Sequence, residues 1–143
     1  MKSRDSKEED MANLSDIPPF PNPGVRLIKE DEHVAIWEEI FEPGKPTPPH
    51  RHMRDYIAIF PNGGELTITP LAGEVEEYTA IAGDFKAVPT EKGATHVVLS
   101  AGAMHHSRVP VDGIGHIAVN EGERSALMIL IEIKGTATEK RMK

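Results

Sequence analysis

A chain of 143 residues with 38% hydrophobic content is long enough for one domain with a real core. Its formal net charge of -7 argues against nucleic acid as a general partner, because phosphate binding needs a concentrated basic surface, and makes a small molecule the expected ligand. Cysteine is absent, which excludes disulfides, thiolate ligands and cysteine nucleophiles; with no membrane-length apolar run and no signal-peptide core at the start, the expected location is the cytoplasm.

The 12 glycines and 12 prolines punctuate short apolar runs, a pattern that favours an all-β architecture over a helical bundle. Residues 1–16 read as a charged N-terminal tail, 17–135 as a single barrel domain and 136–143 as a C-terminal tail. Within 17–24 the prolines at 18, 19, 21 and 23 remove donors and fix the backbone, so an irregular surface strap is expected. Strands follow at 25–28 and 33–41. In the second, Val34, Ile36 and Ile40 face one way and Ala35, Trp37 and Phe41 the other, so both faces are partly covered.

Pro46, Pro48 and Pro49 stiffen the approach to His50. A strand running on from His52 to Phe60 would set His50, His52, Arg54, Tyr56, Ala58 and Phe60 on one face, with Asp55, Ile57 and Ile59 on the other. A tight turn at 62–64 returns the chain as a hairpin over 65–69. Further strands are expected at 76–81, 85–88, 95–99, 104–109, 116–120 and 126–133, the last apolar on both faces, while Glu74, Glu76 and Glu77 read as a solvated rim. Strands this short with turns this frequent fit a closed or sandwiched β barrel.

The chemistry concentrates at His50-x-His52, where an extended chain projects both imidazoles from one face at a spacing that a single ion can bridge. Its surroundings, Gly44, His50, His52, Tyr56 and Gly63, are followed by Gly102, Pro110, Gly113, His116 and Asn120. In that order the two segments resemble the paired motifs of the cupin superfamily, and Gly-x-x-His-x-x-x-Asn at 113–120 is the specific part. The resemblance runs from about residue 25 to 134 and implies a double-stranded β-helix, a jelly-roll barrel with a metal or ligand pocket at its centre. It implies His50, His52 and His116 as metal ligands. The glutamate that usually completes the first motif is missing: its slot falls at Tyr56, and Asp55, the nearest carboxylate, lies on the wrong face.

Three outcomes are open at this stage. A three-histidine site can hold Fe, Zn, Mn or Ni as a divalent ion, Tyr56 can add a phenolate once a metal is present, or the pocket takes an organic ligand without metal. His105 and His106 point to opposite faces of a strand, so one of them should face the pocket as a donor or general base, with His106 the candidate. Arg54 is placed by parity to clamp a substrate carboxylate. His33 and His96 read as solvated strand histidines, Trp37 as core or dimer packing, and Asn120 as the holder of the turn after its strand. The expected function is metal-dependent chemistry on a small anionic metabolite, of oxygenase, isomerase or decarboxylase type. The alternative is a non-catalytic binding or sensing module. An open edge strand and a final strand apolar on both faces lead to the expectation of a homodimer.

Overall fold

In a computed structural model of the chain, describing residues 13–73, 77–110 and 112–135, alternation of inward apolar and outward polar residues produces strand after strand. They are β1 (Arg26–Glu30), β2 (Val34–Phe41), β3 (His50–His52), β4 (Tyr56–Phe60), β5 (Gly64–Gly73), β6 (Glu77–Ala82), β7 (Phe85–Pro89), β8 (Thr95–Leu99), β9 (Ala103–Arg108), β10 (Ile114–Asn120) and β11 (Ala126–Ile133). The named strands pair antiparallel throughout, in a six-stranded sheet of order β1-β2-β11-β4-β9-β6 and a five-stranded sheet of order β3-β10-β5-β8-β7. Among the described residues there is no α-helix, and no helix is long and apolar enough to cross a membrane. The architecture is the all-β jelly-roll barrel expected from the sequence.

The expected tails at 1–12 and 136–143 lie outside the described residues, as do Glu74 and Glu76 of the acidic rim. Residues 13–16, read as tail, belong to the folded unit. Asn13 caps a short 3-10 turn, Leu14–Asp16, and the Arg51 guanidinium donates to the Leu14 carbonyl at 3.3 Å.

Three expectations about the chain path need correction. The turn at 62–64 does not close the expected hairpin: it carries the chain from β4 in the six-stranded sheet to β5 in the five-stranded sheet, and the two strands do not pair. The strand predicted to run unbroken from His52 to Phe60 is interrupted at 53–55, where the chain leaves the five-stranded sheet as β3 and enters the six-stranded sheet as β4. Inward parity survives the crossing, since His50, His52, Tyr56, Ala58 and Phe60 are all buried, but Arg54 sits in the break and is not held to it. The proline strap is also more than a surface cover. Phe20 N–H donates to Arg51 at 2.9 Å and Arg51 N–H to Pro18 at 2.8 Å, so the strap pairs briefly with the outer edge of β3. Edge strands expose unpaired donors and acceptors, and this pairing satisfies part of that edge.

Strand register sorts the barrel interior into two ends. Asn120 lies opposite Leu66, which in turn lies opposite Val97, and Phe60 opposite Ala103; the apolar members of this set, with Leu99 and Ala126, make a buried plug. Fully burying a side chain such as Phe60 contributes about 1.5–3 kcal/mol. Asn120 closes this end as expected, donating to the Phe41 and Arg124 carbonyls at 2.9 and 2.7 Å and accepting from Gly122 N–H at 2.8 Å. At the opposite end β3 and β10 face each other, and the inward side chains there are histidines.

Candidate metal centre

Antiparallel pairing of β3 with β10 sets His50 directly opposite His116, and His52 opposite Ile114. Directly opposed side chains on one face of a sheet are close neighbours. The His50, His52 and His116 rings accordingly gather with centroids 4.7 to 5.0 Å apart, all buried. Their candidate ligand atoms lie within 4.8 Å of one another, so only small side-chain shifts separate them from bonds of about 2.0–2.1 Å to one ion.

Local backbone features hold this geometry. Gly113 turns the chain into β10 at φ +88°, and a Cβ there would meet the His52 carbonyl oxygen at 2.9 Å. Gly115 faces the strap, where a Cβ would stand 2.5 Å from Ile17 Cδ1. The β10–β5 register slips between Gly115 and His116, the kind of irregularity that re-aims a side chain beside a site. His50 Nδ1 lies 2.8 Å from the Pro48 carbonyl, which can only accept; Nδ1 therefore carries the proton and Nε2 keeps its lone pair for a ligand bond. The proline-rich approach to His50 thus sets a tautomer.

The histidines open into a cavity of about 40 Å³. Apart from the histidines, Glu39, Tyr56 and Tyr78, its wall is apolar, with Phe41, Phe60, Leu66, Met128 and Leu130 among the residues that face it. Among the described residues, no lysine or arginine lines it.

Tyr56 is in this wall, its ring 4.8 Å from that of His52. Arg54 is not: its Nη1 lies 3.4 Å from Glu132 Oε1, and Glu132 also accepts from Trp37 Nε1 at 2.9 Å. The break at 53–55 releases Arg54 from the inward parity that would have aimed it at a substrate. For the histidine pair, His105 faces the cavity, packed against Phe85 at 4.5 Å and Tyr78 at 5.3 Å, whereas His106 lies on the opposite face of β9. The candidacy of His106 therefore passes to its neighbour, because parity on β9 is counted from the fully buried Ala103 and Ser107.

Three residues at the site were not expected. Phe20, in the strap, lays its ring 4.9 Å from that of His52. Asn22, also in the strap, donates from Nδ2 to Glu39 Oε2 at 3.1 Å. Glu39 on β2 is buried beside the histidines; burial raises its carboxyl above the ordinary pKa, against the lowering effects of the Asn22 hydrogen bond and of nearby His116. The signal for Glu39 was present. It lies between Trp37 and Phe41 on the face that contains buried Ala35, so period-2 counting alone puts it inside.

A two-sheet barrel carrying converging histidines at one end is the class of fold and site defined here. Among solved structures, a cupin domain protein from Bordetella pertussis is similar at 23% identity, covering 81% of this chain and 99% of that one with a TM-score of 0.55. A cupin 2 conserved barrel domain protein from Salinispora arenicola is 16% identical over 82% of this chain and 79% of that one, with a TM-score of 0.48. A cupin-like protein from Thermotoga maritima is 16% identical over 83% and 70%, also with a TM-score of 0.48. No family model and no curated protein matches the chain by sequence. The chain has the cupin fold.

Proposed function

We propose that this protein holds one divalent transition-metal ion through His50, His52 and His116 and works on a small molecule at the ion's open side. The observation that carries this reading is the convergence of three buried imidazoles from two paired strands, with ligand atoms within 4.8 Å. The donor set suits such an ion, since neutral imidazoles bind Fe, Zn, Mn and Ni, and one tautomer is already fixed by a backbone carbonyl. When bound, the ion supplies Lewis acidity and open positions for substrate oxygens, the common ground of oxygenase, isomerase and decarboxylase chemistry.

The chain's own residues do the rest. Phe41, Phe60, Leu66 and Leu130 exclude water and fit an apolar substrate body. Tyr56 offers a hydroxyl beside His52, and His105 a ring nitrogen deeper in the wall. Among the described residues a substrate anion meets no lysine or arginine there, so its charge is answered by the ion and not by Arg54. Metal analysis by plasma mass spectrometry on untagged protein is expected to find about one equivalent per chain, absent in His116→Ala. A metal-free wild type after anaerobic reconstitution would overturn the reading in favour of a metal-free binding module.

We propose in addition that the chain pairs with a second copy along β1. This edge strand leaves Leu27 and Ile28 exposed, with Ile40 exposed on the adjoining β2. Sedimentation should give twice the 15.7 kDa chain mass, and a monomer mass would sink the idea.

A further inference from the structure

Burying a carboxylate is costly unless a cation answers its charge, and removing the cation from such a pair leaves the penalty exposed. Glu39 is in that position. It is 6% exposed, it accepts a hydrogen bond from a neutral amide, Asn22 Nδ2 at 3.1 Å, and among the described residues no lysine or arginine pairs with it. Lys45 shares an outer cleft with Glu39 but lies exposed and forms no ion pair with it. What Glu39 does share is the wall of the central cavity, beside His50, His52 and His116.

The two motifs together supply three imidazoles and no carboxylate, while β2, a strand outside both motifs, delivers a buried carboxylate to the same cavity. We propose that Glu39 is the acidic member of the centre. It offsets one charge of the divalent ion and hydrogen-bonds the water or ligand on the ion's open side. It acts from just outside the histidine cluster, because the group of atoms mutually within 4.8 Å contains the three imidazoles alone among the described residues. Asn22 orients it, so the proline strap, and not the barrel motif, sets the position of the charge. The inference rests on the three-histidine reading and adds to it a residue, a strand and a charge.

The test compares metal-stripped wild type, Glu39→Gln, Glu39→Asp and His116→Ala. Zn(II) and Co(II) affinities are measured by competition with a chromogenic chelator, and Co(II) absorption bands are recorded. Glu39→Gln keeps the shape and the Asn22 hydrogen bond while removing the charge. Its affinity is expected to fall about 10- to 100-fold, the range for partners just beyond the ligands, with shifted Co(II) bands. Glu39→Asp should recover part of the loss. Without metal, Glu39→Gln should melt at or above the wild-type temperature, since a buried charge has been removed.

Affinity within about twofold of wild type and an unchanged Co(II) spectrum would overturn the proposal while leaving the three-histidine site standing. A metal-free Glu39→Gln that melts well below wild type would also overturn it, assigning the carboxylate to the fold. Wild type that binds neither ion, like His116→Ala, would remove the histidine site and this inference together.

Discussion

Two glutamates, Glu39 at 6% exposure and Glu132 at 5%, face inward from adjacent antiparallel strands, β2 and β11. Their burial is the same and their company is not. Glu132 accepts from the Trp37 indole at 2.9 Å and has the Arg54 guanidinium 3.4 Å away, so its charge is answered within the chain. Glu39 has a neutral amide and the histidine cluster. A buried carboxylate with its own cation is a closed piece of structure, whereas one without is an open electrostatic site that a bound cation completes. The same comparison explains why Arg54, the sequence candidate for substrate binding, is occupied elsewhere.

The largest expected effect breaks the open side of the comparison. At a metal concentration about 100 times Kd, binding should stabilise wild type by about 2.7 kcal/mol, visible as a rise in the thermal midpoint, and His116→Ala should abolish that rise. Next comes the closed side. Glu132→Ala strips the Trp37 N–H and Arg54 of a shared acceptor, which should lower stability by about 2 kcal/mol in denaturant titrations. Arg54 is partly solvent-exposed, at 26%, which keeps the figure below that of a fully buried pair. Metal affinity should be unchanged. If Glu132→Ala weakened metal binding as much as Glu39→Gln, the distinction between the two carboxylates would collapse.

Much of the fold was legible because period-2 alternation is a local signal. β11 was anticipated over its full span and β8 likewise, and the inward set His50, His52, Tyr56, Ala58 and Phe60 came from parity alone. The histidine site was legible for a different reason, since its two motifs carry their spacing in the chain. What parity could not supply was a crossing between sheets. The break at 53–55 is a tertiary event, and it moved Arg54 out of the cavity without disturbing the parity of Tyr56. The choice between His105 and His106 needed the register of β9 against β4 and β6, which only folding provides. Glu39 lies outside both motifs, on β2, so no motif spacing marks it, and only its parity with Ala35 and Phe41 places it inside.

A smaller perturbation probes the strap that positions Asn22. Gly115→Ala would place a Cβ 2.5 Å from Ile17 Cδ1, the far end of a flexible side chain that can move. The expected loss is about 1 kcal/mol, at the low end for overpacking, because Ile17 can rotate away. Its value lies in the second readout. Shifting the strap should loosen the Asn22 contact to Glu39 and weaken metal binding severalfold, although neither residue is altered. Unchanged affinity beside the stability loss would show that Glu39 is held by β2 without help from the strap.

The smallest effect concerns a carboxylate that is neither closed nor open but fully solvated. Asp31, in the turn between β1 and β2, accepts from the Val34 and His33 N–H groups at 2.9 and 2.8 Å, and these bonds hold its carboxyl below its ordinary pKa. A depressed folded pKa means stability that is present above the unfolded value and disappears as pH falls through the folded one. Asp31→Asn keeps an acceptor but removes the charge, so it should melt slightly below wild type near neutral pH. That gap should close as the medium becomes strongly acidic. Solvent screening keeps the difference small, and high salt should shrink it further. A gap that persists unchanged into acid would trace the stabilisation to the geometry of the acceptor, and the charge at Asp31 would then have no part in holding the β1–β2 turn.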